Sequence, residues 1–289
     1  MKKILGTTIL LTITALLFTA CSGDTSGFNT KKDISVISRE DGSGTRGAFI
    51  ELFGIEQKKD DGSRKDLTTK EAIIAKQTDV MMTNIVGDTY AIGYISLGSL
   101  NDTVKALKIE GITASPENVK NGSYPIFRPF NIATKGTPNE LTQDFIDFIL
   151  SSDGQDVIAK SYISVSENAA PYEGNMPSGK IVIAGSSSVT PIMEKLKEAY
   201  LTINTNASIE IQMSDSSAGI TGAIDGTCDI GMASRALKDS ELEKLSSIQI
   251  ALDGISVIVN NENPTENLSI EQVKSIFIGE TLVWSEIES

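Results

Sequence analysis

The sequence predicts an α/β protein with helices on both faces of mixed sheets, and three observations carry that expectation. Short β-rich runs alternate with amphipathic segments along almost the whole chain. Glycine- and serine-rich turns stand where a strand run gives way to a helical one. With 289 residues, 40% of them hydrophobic, the chain can bury a sizeable core in one large or two medium domains.

The first strand is expected at ISVIS (34–38), followed by the loop GSGT (42–45) and a helix starting in TRGAFIELF. AIGYISLG (91–98) and VKALKI (104–109) have strand composition, and SPENVKNG (115–122) has the serine cap and early proline of a short helix. NELTQDFIDFIL (139–150) places Leu141, Phe145, Phe148 and Ile149 on one helical face. Residues 166–179, rich in Pro, Gly, Ser and Asn, read as a linker. Beyond them KIVIAG (180–185) is a strand and SSSVT a turn, and PIMEKLKEAYL forms a helix with Ile192, Met193, Leu196 and Tyr200 inward. SIEIQM (208–213) is again a strand; it leads through SDSSAG into the helical GITGAIDG, and CDIGMAS adds a short strand and turn. The run 248–260 is long enough for two strands or for one that crosses between domains, and Ser269 caps a last helix in IEQVKSIF.

Several function classes fall away on composition. The net charge of −13 makes nucleic acid and anionic membrane surfaces poor partners. The chain has no histidine, which removes His-based triads and His-ligated metals. No G-x-S-x-G elbow occurs, and GSGTRG lacks the GK[ST] ending of a nucleotide-binding loop. Nothing calls for a cofactor or a metal. The acidic run KKDDGSRKD reads as a solvated loop.

Residues 1–20 have a basic start and an apolar run ending in small residues, the pattern of a secretory signal. LLFTAC resembles the lipobox of bacterial lipoproteins, in which Cys21 is acylated; Phe18 stands where leucine is usual. Residues 21–32 then form a flexible tether, and the folded part is held at the outer face of the cell membrane. Cys228, the second of two cysteines, is expected as a small buried core residue.

Three turns share one chemistry: GSGT (42–45), GSSS (185–188) and SDSSAG (214–219). Each offers backbone N–H groups and hydroxyls at a helix start, where unpaired donors and the positive end of the macrodipole favour an anion. Converging, they would enclose a small tetrahedral oxyanion despite the acidic surface, whose field is screened within about 10 Å. Arg39 is the expected cationic clamp, its fork taking two oxyanion atoms at once. Taken singly, each turn is equally well an ordinary helix cap, and Arg46 and Arg235 are ordinary surface ion-pair partners.

ISREDGSGTRGAF, AIGYISLG, VKALKIEG, PENVKNGSYPIFRPF and FIDFILSSDGQDVI, together with IAGSSSVTPIMEKL, SSAGI, DIGMASR, IALDGISVIVN and EQVKSIFIGETLVWSEI, resemble the phosphate-binding proteins of bacterial phosphate ABC transporters. Their order differs from the family's usual one: the half at about 33–165 precedes the half at about 180–289, as in a circular permutation or a fragment excised from a tandem pair, with the halves pairing in one chain or between neighbouring chains. The resemblance implies a type II periplasmic-binding-protein fold with two lobes and the ligand in the cleft between them. One lobe would comprise 30–132 plus 262–289 and carry the GSGT loop; the other, 133–261, would carry the GSSS and SSAG turns, with crossings near PFNIATKG and SVIVNNEN.

By the same resemblance the phosphate ligands are Arg39, Ser43, Gly44, Thr45, Ser187, Ser188, Ser216 and Ser234, with Asp41 and Arg235 in support and Asp41 paired to Arg39. Some members carry Asp at the place of Ser234, where it accepts the proton of phosphate; here a hydroxyl or Asp41 would have to. The implied function is a monomeric, lipid-anchored receptor that delivers inorganic phosphate to ABC permease subunits, with no enzymatic activity. A phosphate-sensing or adhesive surface protein, a receptor for another tetrahedral oxyanion, and a phosphoryl-transfer enzyme are the other classes that fit such a pocket.

Overall fold

A computed structural model describes residues 27–59, 64–166 and 168–287. The signal, Cys21 and the rest of the first half of the expected tether, and the middle of KKDDGSRKD lie outside the described residues. The second half of that tether, 27–32, is packed rather than a flexible spacer, with Phe28 in a core cluster and Thr30 O accepting from Ser285 N.

The strands of the first part are β1 (Ser35–Arg39), β2 (Glu56–Lys58), β3 (Arg64–Asp66), β4 (Ile73–Ala75), β5 (Ala91–Ser96), β6 (Lys105–Ala106), β7 (Lys108–Ile109) and β8 (Phe127–Thr134). The helices among them are α1 (Gly44–Leu52), α2 (Thr78–Gly87) and α3 (Pro116–Lys120). Then come α4 (Glu140–Leu150), α5 (Ser152–Ala159), β9 (Ile163–Ser164), β10 (Gly179–Ser186), α6 (Thr190–Ile203), β11 (Ala207–Ser214), α7 (Ser216–Asp225) and β12 (Ile230–Ala233). The chain closes with α8 (Asp239–Leu242), β13 (Ser246–Val259), β14 (Asn267–Leu268) and α9 (Ile270–Ile278).

One mixed sheet runs through the molecule in the order β11-β10-β12-β8-β13-β5-β1-β4. At one end β11, β10 and β12 are parallel, and at the other β5, β1 and β4 are parallel. The antiparallel strands β8 and β13 join the two ends. β13 settles the choice left open for 248–260: it is one strand of 14 residues, pairing with β8 through Gly254 and with β5 from Ile255 onward.

The core divides along the same line. Phe49, Phe53, Tyr94, Tyr124, Ile255, Val257, Phe277 and Trp284 belong to one hydrophobic cluster. Phe130, Phe145, Phe148, Tyr200, Ile183 and Ala251 belong to another. The change of core on β13 therefore falls between Ala251 and Ile255, ahead of the SVIVNNEN crossing expected from the resemblance. It falls there because Ile255, Val257 and Val259 already face the first cluster.

Helix starts follow local chemistry. Ser43, Ser115, Asn139, Ser151, Asp215 and Ser269 each accept a hydrogen bond from a first-turn N–H of the helix they precede. The 166–179 linker has no helix or strand among its described residues before Gly179, yet it is pinned to α4. Asp144 accepts from the Tyr172 hydroxyl at 2.5 Å, from Asn175 N at 3.0 Å and from the Tyr200 hydroxyl at 2.6 Å. Cys228 is a buried core residue, as expected, and its thiol is free.

Candidate anion-binding cleft

The three Gly/Ser turns meet where the two halves of the sheet face each other. β1 ends in Arg39, the chain turns through Asp41 and Gly42, and Ser43 caps α1 by accepting from Arg46 N at 3.3 Å. From the other half, β10 delivers Ser186, Ser187 and Ser188 ahead of α6, β11 leads through Asp215 into α7 and Ser216, and β12 is followed by Ser234. Arg39, Ser43, Thr45, Ser187, Ser188, Ser216 and Ser234 are all buried, Arg39 to 1% exposure.

Contacts cross between the halves directly. Arg39 Nη2 donates to Ser187 Oγ at 2.9 Å, and the hydroxyls of Thr45 and Ser188 are 2.8 Å apart. Ser217 N donates to Gly42 O at 3.2 Å. On the far side Ser186 Oγ donates to Ser234 Oγ at 3.0 Å, and Ser234 N donates to Ser216 Oγ at 3.1 Å. Gly44 fits this closed arrangement because it has no side chain: a Cβ there would lie 2.6 Å from Ser216 Oγ and 2.8 Å from Ser234 Oγ. Gly42 is in the same situation, since a Cβ would meet Asp215 Oδ1 at 2.2 Å.

The structure corrects two expectations about Arg39. Its carboxylate partner is Glu40, not Asp41: Nε reaches Glu40 Oε2 and Nη2 reaches Oε1, both at 2.9 Å. Asp41 sits on the outside of the turn, its side chain 96% exposed, and pairs with Arg46 at 2.7 Å. Moreover, the fork edge formed by Nε and Nη2 is taken up by Glu40, with Ala75 O also accepting from Nε at 3.1 Å. A guanidinium held this way does not offer that edge to an anion; what it has left to donate is on the side of Nη1 and Nη2 that faces Thr78 and Ser187. Arg235 is bound through both terminal nitrogens to Glu241. Burial opposes ionisation of the Glu241 carboxyl, but Arg235 and the Lys238 N–H outweigh it and hold the group below the usual carboxylate range.

Behind the loop, Tyr94 stacks on Phe49 with ring centroids 3.8 Å apart and accepts from Arg39 N at 3.1 Å, so β5 fixes the end of β1. Burial pushes the Tyr94 phenol up, and it stays neutral.

Three cleft residues were not singled out in the sequence. Glu40 is hidden by its neighbour Asp41 in the same motif. Ser186 belongs to the GSSS turn and bridges to Ser234. Thr78 stands in a stretch without glycine, and its Oγ1 lies 3.4 Å from both Arg39 Nη1 and Ser187 Oγ. Among the described residues no group of His, Cys, Asp or Glu is arranged to hold a metal ion, and no helix is long and apolar enough to cross a membrane.

The arrangement is a ring of hydroxyls and helix N-termini around one guanidinium, suited to holding a small oxyanion without covalent chemistry. Comparison with known proteins points the same way. A family model described as a PBP superfamily domain matches residues 22–153 and 170–288. A protein of Streptococcus agalactiae serotype V named phosphate-binding protein PstS 2 is 54% identical over 273 residues, covering 94% of this chain and 93% of its own. One of the same name from Streptococcus pneumoniae serotype 4 is 46% identical over 257 residues, 88% of each chain. Among solved structures, the phosphate-binding protein of a phosphate ABC transporter from Streptococcus pneumoniae superposes with a TM-score of 0.70 at 45% identity, covering 88% of this chain and 99% of that one.

Proposed function

The chain belongs to the PBP superfamily and, within it, to the PstS-like phosphate-binding proteins, and on that premise we propose that it is the extracytoplasmic receptor of a phosphate ABC transporter. Inorganic phosphate is taken into the cleft between the two halves and handed to the permease, with no bond made or broken. The observation that carries this reading is the meeting of Arg39 with Ser187, and of Thr45 with Ser188, across the cleft. Ligand that bridges both halves favours the closed arrangement by its differential affinity for it. The ligand set is Arg39, Ser43, Gly44, Thr45, Ser187, Ser188, Ser216 and Ser234, supported by Glu40. Acylation at Cys21 anchors the monomer to the membrane.

Titration calorimetry with phosphate, sulfate and molybdate tests the reading. Heat with phosphate alone, lost in Arg39→Ala, supports it; no phosphate heat, or equal affinity for sulfate, overturns it.

We also read the order of the two halves as a circular permutation. Support comes from the packing of the end segments: Ile34 N donates to Leu282 O at 2.8 Å and Ser285 N to Thr30 O at 2.7 Å, so a short connection would join them. A chain rewritten to begin at the 166–179 linker, with its two former ends joined, is expected to fold and bind phosphate as the natural order does. Failure of that chain to fold would count against the reading.

A further inference from the structure

Thr78 opens α2 in the half of the molecule that carries Arg39, and it is 5% exposed. Its Oγ1 is 3.4 Å from Arg39 Nη1, 3.4 Å from Ser187 Oγ and 3.5 Å from Ser188 Oγ. One hydroxyl therefore lies among the guanidinium of its own half and two serines of the other. The residue before α2, Gln77, makes no side-chain cap. By contrast Ser43 and Asp215 cap α1 and α7, so the start of α2 brings N–H groups that no capping side chain occupies.

The direction of these hydrogen bonds matters. A guanidinium donates and never accepts. In its contacts with Arg39, Thr78 therefore accepts from Nη1 and Ser187 accepts from Nη2. A hydroxyl whose lone pair is engaged by a cation has its own hydrogen left to give. Glu40 holds the Nε–Nη2 edge of the guanidinium and so fixes where Nη1 and the remaining hydrogen of Nη2 point. The chain of orientation runs from Glu40 through Arg39 to two hydroxyls, one on each side of the cleft.

We propose that Thr78 is a direct ligand of the bound anion, its hydroxyl turned into a donor by Arg39 and aligned with those of Ser187 and Ser188. The proposal rests on the phosphate reading of the cleft and adds to it a fifth chain segment, the start of α2, beside the three Gly/Ser turns and Ser234 at the end of β12. A hydrogen bond from a neutral donor to a charged acceptor contributes more than one between neutral groups, enough for roughly a 10-fold change in affinity.

Calorimetric titration with inorganic phosphate decides it, using the wild-type chain, Thr78→Val, which keeps the shape, Thr78→Ala, which removes the bulk, and Thr78→Ser, which keeps the hydroxyl. Thr78→Val and Thr78→Ala are expected to bind about 10-fold more weakly, and Thr78→Ser within about two-fold of wild type. Thermal midpoints without phosphate should stay together, because a structural role would move those instead. The proposal is overturned if Thr78→Val binds as tightly as wild type, or if Thr78→Ser is as weak as Thr78→Val. A wild-type chain that gives no phosphate heat would instead bring down the phosphate reading itself.

Discussion

Gly44 shows how little room the cleft leaves. A methyl group there would press on Ser216 and Ser234 from the opposite half, yet alanine is a better helix former than glycine at the start of α1. Gly44→Ala should therefore weaken phosphate binding by about 10- to 100-fold, the overpacking cost of closing on an extra methyl, with the ligand-free thermal midpoint unchanged or slightly raised. A parallel fall in both would place the damage in the fold. Asp41→Asn is the natural control and should leave affinity within about two-fold, since its partner Arg46 is met at the exposed surface. The serines and Arg39 were legible because small residues before a helix signal exposed donors. Glu40 and Thr78 were not: choosing between adjacent carboxylates depends on which one the turn faces inward, and Thr78 reaches the cleft only because β4 pairs with β1 and carries α2 to it.

At the scale of elements, strong periodicity was a sound guide: α1, α4, α6 and α9 form where apolar spacing and caps predict them, while α7 starts earlier, at Ser216 within the SDSSAG turn, because Asp215 caps it. α2 escaped notice because TDVMMTNIVG mixes β-branched residues with methionines; what holds it is the burial of Met81 and Ile85, one turn apart, against the sheet. The linker had the composition of a spacer, but Tyr172 and Asn175 tie it to Asp144, itself 7% exposed. Removing that carboxylate leaves two tyrosine hydroxyls and one N–H without an acceptor, so Asp144→Ala should cost about 2–4 kcal/mol. Urea unfolding would register this as a lower midpoint at unchanged slope, while phosphate affinity stays as in wild type. The Tyr200 phenol, pushed up to about 12 by burial and by its neighbour Asp144, remains the donor across the working pH range.

For the whole molecule, the two-part plan followed from the resemblance, while the place where the parts divide did not. Apolar composition alone does not mark that boundary on β13, because Ile250 and Ala251 before it and Ile255 and Val257 after it are alike and differ in the cluster they enter. That strand has a further consequence for how the molecule comes apart. Its first stretch is paired with β8 and its last with β5, and Arg128 on β8 is ion-paired at 3.1 Å with Asp253, both buried, at the junction. Melting either half strips the edge from the other and uncovers this charge pair, so neither half is a self-sufficient calorimetric unit. A heating scan should give one endotherm whose van't Hoff and calorimetric enthalpies agree, moved upward intact by phosphate; two resolved peaks would contradict it.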